Sequence, residues 1–154
     1  MARPKITDLD PSLKDTIEGK AEKSSIDTKI SSVSEDLTPE LGGELDSGEN
    51  TIGFTEKTNT STTGAVTIDW TTSNKQTITL TEDTTFAFTD PTNPCNLVLH
   101  IKQDSTGGWT PTFPTLLTSG GSGISLTTTA NADDILMLYY DGANYYASLL
   151  ADMQ

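Results

Sequence analysis

Apolar and polar residues alternate in short runs along the C-terminal two-thirds of the chain. Val66, Ile68 and Trp70 fall on one side of a run that begins at Gly64, with Thr67 and Asp69 on the other. Gln76–Thr81 alternates in the same way through Ile78 and Leu80, and Thr85–Phe88 follows it. Leu97, Leu99 and Ile101 alternate with Val98, His100 and Lys102. A period of two over four to eight residues predicts a half-buried strand. Trp109–Leu117 reads as an edge or bulged strand because Pro111 and Pro114 interrupt it. A Gly/Ser turn at 119–123 leads into a further strand over Ile124–Thr128. The last pair of runs differs from the rest. Ile135, Met137 and Tyr139 point one way and Leu136, Leu138 and Tyr140 the other, so both faces are apolar. Asp141–Asn144 connects this run to Tyr145, Tyr146, Leu149 and Leu150, which predicts a β-hairpin with a tight turn. A strand apolar on both faces needs cover on both sides. The domain's own core supplies one cover, and a second copy of the chain is expected to supply the other.

These runs make about eight short strands separated by regular turns. They predict a mainly β domain over residues 57–154, an eight-stranded, jelly-roll-like β-sandwich. Residues 1–56 pattern differently and read as a partly helical, extended N-terminal arm. Asp10 and Pro11 form a helix start, as N-cap and first helical residue, and Gly19 weakens the helix soon after. From Ser24 or Ser25 a second helix carries Ile26, Ile30, Val33 and Leu37, spaced 4, 3 and 4. That spacing is a coiled-coil seam whose β-branched residues are compatible with a trimer. It spans barely two heptads, so it needs a partner, and a short amphipathic helix lying on a neighbour fits it equally. From Thr38 to Phe54 the proline and paired glycines forbid a continuous helix. Leu41, Leu45, Ile52 and Phe54 suit a segment laid in extended form along a surface.

Charge sharpens this division. The chain of 154 residues carries a net charge of −13. Residues 1–30 are neutral overall, residues 31–56 hold seven acidic and no basic side chains, and residues 57–154 hold nine acidic and three basic ones. Such a balance argues against nucleic-acid binding, which needs cations to neutralise phosphate, and against an anionic membrane surface. No apolar run is long enough for a membrane-spanning helix, and no secretory signal follows Met1. Cys95 is the only cysteine, which rules out an internal disulfide. Hydrophobic residues make up only 33% of the chain, so the core must be thin or shared between subunits. Of 28 threonines, 22 lie after residue 56, where β-branched residues favour strands.

Two stretches carry a resemblance. TPELGGELD…GENTI, from Thr38 to Ile52, resembles a linker motif of bacteriophage tail-fibre and virion-surface proteins, with Glu44 and Ser47 where that motif more often has Asp and Asn. There it joins an N-terminal attachment part to a distal β-domain. The run GAVTIDW…QTITLTEDTTFAF…LVLHIKQDSTGGWTPTFP…ADDILMLYYDGANYYA is similar to the C-terminal domains of such proteins. The resemblance implies a non-enzymatic virion component, made in the host cytoplasm and usually trimeric. Its arm would grip another virion protein. It does not separate a short tail fibre, which is somewhat favoured, from a capsid decoration protein.

Candidate chemistry is thin, and no catalytic residue, cofactor or metal site is expected. His100 is the sole histidine, sits mid-strand beside Lys102, and has no GxSxG elbow to serve, so it reads as a structural or interface residue. Cys95 lacks a CxxC partner or a nearby histidine and reads as a small buried side chain. The glycine-rich 119–123 stretch lacks the Gly-Lys-Ser/Thr of a phosphate loop. Glu82–Asp83, Asp133–Asp134 and the cluster Asp46, Glu49 and Asn50 read as solvated loop acids, with calcium binding the alternative. Three functions remain to be weighed. The first is a homotrimeric β-head of a virion, its interface drawn from Ile135, Leu136, Met137, Leu138, Tyr139, Tyr140, Tyr145 and Tyr146. The second is an adhesin, whose partner would be a host-surface glycan stacked on Trp109, Trp70 or Tyr145. The third is a small hydrolase, for which no constellation exists.

Overall fold

The structure is a computed structural model and describes residues 48–153. The arm helices and the Ile26, Ile30, Val33, Leu37 seam lie outside the described residues. The compact unit that carries the fold begins at Asn50. Ser73 Oγ donates to the Thr55 carbonyl, and the Lys75 ammonium lies 5.8 Å from the centre of the Phe54 ring.

Nine strands follow: β1 (Lys57–Asn59), β2 (Ala65–Asp69), β3 (Lys75–Leu80), β4 (Thr84–Thr89), β5 (Cys95–Gln103), β6 (Pro111–Thr112), β7 (Leu117–Thr118), β8 (Asp133–Tyr140) and β9 (Tyr145–Leu150). They form a six-stranded sheet in the order β1-β3-β5-β8-β9-β7 and a three-stranded sheet in the order β2-β4-β6. The mainly β, two-layered expectation holds, but the path through the layers is not that of a jelly roll. Through β6 the chain alternates between the sheets, so successive strands of one sheet are parallel: β1 with β3, β3 with β5, β2 with β4 and β4 with β6. Each of β2, β3, β4 and β5 thus belongs to the crossover between two parallel strands of the other sheet. A parallel pair needs a crossover of a dozen or more residues. Alternating side chains look the same in parallel and antiparallel strands, so the sequence pattern could not choose between the two topologies.

The winding closes antiparallel. β8 pairs with β5 from Cys95↔Tyr140 to Lys102↔Asp133, and β9 folds back on β8 from Tyr140↔Tyr145 to Ile135↔Leu150. Ile68, Ile78, Leu80, Leu97, Leu99, Ile101 and Leu136 are almost fully buried between the layers, with Val66, Trp70, Phe86, Leu138, Tyr140 and Tyr145 around them. Burying an aliphatic side chain of this size contributes about 1.5–3 kcal/mol relative to leaving it exposed.

Two further expectations change. Residues Ile124–Thr128 do not form a strand, yet Leu126 is buried in the core. Their backbone is claimed by other partners: Thr127 N donates to Asp134 Oδ2, and the Thr128 carbonyl accepts from Gly108 N. The proline-broken Trp109–Leu117 run holds one two-residue strand, β6, and ends at the start of another, β7; both lie at sheet edges.

Inside the layers, the buried glutamines are satisfied, whereas Trp70 Nε1 and Asn74 Oδ1 are buried without a hydrogen-bond partner. Gln76 Nε2 donates to the carbonyls of Asp69 and Ser73, and its Oε1 accepts from Asn59. The Gln103 amide bonds to both N and O of Trp109, standing in for a strand neighbour. At the Asp104 turn the backbone approaches so closely that a Cβ on Gly107 would meet Ala130 N at 2.5 Å.

Candidate functional site

Alternation along β8 places Asp134, Leu136, Leu138 and Tyr140 inward and Asp133, Ile135, Met137 and Tyr139 outward. On β9 Tyr145 is inward, and Tyr146, Ser148 and Leu150 are exposed. The eight residues named from the sequence therefore divide. Leu136, Leu138, Tyr140 and Tyr145 are consumed by the chain's own core, whereas Ile135, Met137, Tyr139 and Tyr146 look outward.

Register brings the outward set together. Tyr139 lies beside Tyr146, with ring centroids 6.2 Å apart, and Tyr146 is level with Leu117 of β7. One step along, Val98 faces Met137, and in the next row His100, Ile135 and Leu150 are aligned. Met137, Tyr139, Tyr146, Leu150 and Leu117 are each between 43% and 47% exposed. Large apolar side chains at that exposure form a contiguous outward patch on one sheet face. A groove of about 410 Å³ opens beside it, lined by Leu117, Thr118, Ser119, Tyr146, Ala147 and Ser148.

The flank on β5 is polar. His100 Nε2 lies 3.0 Å from Asp133 Oδ1, and Lys102 Nζ is 3.7 Å from the same oxygen. Lys75 of β3 also faces outward. Asp133 is the carboxylate beside these cations, while Asp69, Asp104 and Asp141 cap turns and Asp83 reaches across to Thr110. Asp83 Oδ1 accepts from the Thr110 N–H and hydroxyl, Asp69 from those of Thr71, and Asp104 from Thr106 N, Gly107 N and Trp109 Nε1. Asp141 takes the N–H groups of Ala143 and Asn144 in the hairpin turn. Hydrogen bonds to the charged form hold all four carboxyls below their ordinary value.

The opposite end of the hairpin anchors it inward. The Tyr145 hydroxyl donates to Asp90 Oδ1 at 2.7 Å. Burial first, and then this carboxylate, push the Tyr145 phenol well above its usual value. Burial likewise raises the thiol of half-buried Cys95. No group of three or more His, Cys, Asp or Glu side chains able to hold a metal occurs among the described residues. Glu82 accepts from the Ser61 hydroxyl, and Asp134 accepts the backbone N–H groups of Thr127 and Asp152, so both act as structural acceptors. Asp46 lies outside the described residues. Trp70 is buried, and Trp109 is half-buried with its indole N–H on Asp104.

Residues 62–145 match the family described as "Putative phage tail fibre C-terminal domain". The chain belongs to this family. The match covers every strand from β2 to β8 and stops at the first residue of β9. No curated protein and no solved structure matches the chain. Family membership makes the chain a tail-associated structural protein of a phage particle. Within this tail-fibre domain, sequence reasoning missed Leu117 as part of the outward patch. Its signal was weak, because a two-residue strand next to prolines shows no period of its own.

Proposed function

We propose that this tail-fibre domain is the β-head of a homotrimer, held to the virion by residues 1–56. The outward apolar face of β8 and β9 carries the proposal. Left in water it would be a liability that soluble monomers rarely tolerate, and copies of the same chain are the simplest cover for it. Threefold symmetry draws on the Ile26, Ile30, Val33, Leu37 seam, which is compatible with three strands, and on the trimeric habit of the fibre proteins the sequence resembles. The family match supports a position on the tail over one on the capsid. Light scattering on the full chain at micromolar concentration tests it. A mass three times that of the chain is expected, and a stable monomer would overturn the proposal.

The carbohydrate-binding alternative loses two of its three residues. Trp70 and Tyr145 are buried, while Trp109 is half-buried with its indole N–H on Asp104. A glycan needs an open aromatic face beside polar side chains, which Trp70 and Tyr145 do not offer.

A further inference from the structure

The apolar face of the six-stranded sheet has two flanks of different chemistry. On its β3 side lie Lys75 and Phe54. The Phe54 ring is 53% exposed, with the Lys75 ammonium 5.8 Å from its centre. On its β9 side lie Tyr146 and Leu117, the groove beside them, and, in the hairpin turn next to Tyr146, Asp141, whose nearby carboxylate raises the Tyr146 phenol above its usual value. One flank thus presents an aromatic ring under a cation. The other presents an aromatic ring and an aliphatic side chain at a concavity, with the anion Asp141 in the neighbouring hairpin turn. Elsewhere the domain offers no such match. Outward positions of the three-stranded sheet are Ala65, Thr67, Asp69, Thr85, Ala87, Thr89 and Thr112; none is large and apolar, and the one charge, Asp69, is taken up by Thr71.

Resting on the trimer reading, we infer that copies meet flank to flank. The Phe54–Lys75 edge of one copy packs on the Tyr146–Leu117 edge of the next, with the Phe54 ring in the groove and Lys75 facing Asp141. The contact joins two different surfaces, so it closes into a ring when the rotation between copies closes. It also explains why Phe54 stays half in water on its own domain, although its ring is already in place beside Lys75. Opposite charges at such a rim steer the encounter and fix its register more than they add affinity.

Disulfide trapping tests the inference on the full chain, with Cys95→Ser as background. Phe54→Cys combined with Leu117→Cys should give covalent dimers and trimers on mild oxidation. Either cysteine alone should leave at least tenfold less cross-linked product. Trimers by light scattering without cross-links would overturn the flank contact and leave the trimer standing. Monomers would overturn both. As a second arm, Lys75→Glu should raise the dissociation constant severalfold while thermal unfolding of the domain is unchanged. An unaltered dissociation constant would remove Lys75 from the contact.

Discussion

The two sheets bury their inner faces alike but differ on the outside. Outside the three-stranded sheet, β2 and β4 present alanine and threonine in register, Ala65 beside Thr85 and Thr67 beside Ala87. Such side chains suit the β conformation and leave water nothing large to cover. Outside the six-stranded sheet, β8 and β9 present methionine, leucine and tyrosine. Both surfaces are built on the same period of two. What separates the two outer faces is side-chain size at outward positions, not the strand pattern.

Substitutions within the hairpin should expose this difference most strongly. Leu138→Asp places a charge at a position only 3% exposed inside the chain's own core. Its expected cost, on the order of several kcal/mol, is a large part of a domain's whole stability. Circular dichroism should report an unfolded chain. Met137→Asp, one residue away on the outer side, should leave the fold within about 0.5 kcal/mol of wild type. It should nevertheless raise the dissociation constant of the assembly by roughly a hundredfold, because the charge becomes buried only on association. If both variants unfold alike, the outer face is part of the fold and the comparison fails.

An alkaline titration sharpens the same contrast. The folded Tyr145 phenol keeps its proton above the ordinary value of 10.0, while the unfolded chain loses it there. Its contribution is therefore complete below pH 10 and is lost as pH rises beyond it. Phenolate absorbance near 295 nm from Tyr145, assigned with Tyr145→Phe, should appear together with loss of secondary structure rather than before it. The smallest effect is expected on the other sheet. Thr67→Asp should change neither unfolding nor mass, and dissociation of that variant would move the contact to the three-stranded face.

Much of this could be read before any coordinates. Alternation located the inward residues of β2, β3, β5 and β8, and the two-sided apolar character of residues 135–140 pointed to the outward patch. It did not reveal that Leu138 and Met137 belong to different surfaces in different ways, since a period of two does not say which face is the inner one. Parallel winding was illegible for a related reason. Residues 19 apart, such as Lys57 and Gln76, become neighbours only because β2 is spent in the other sheet. Nor could the strand expected at 124–128 be excluded. Its residues have β propensity, but their backbone bonds go to Asp134 and Gly108.

The order of strands in the chain also sets an order of events during synthesis. The parallel coils from β1 to β6 leave the ribosome before β8 and β9 do, and until then β5 has one edge without a partner. The hairpin that closes this edge carries most of the outward apolar patch. A growing chain therefore displays little of its sticky surface until the residues that complete its own core have also been made. Under the proposed assembly, association would thus wait for a finished subunit.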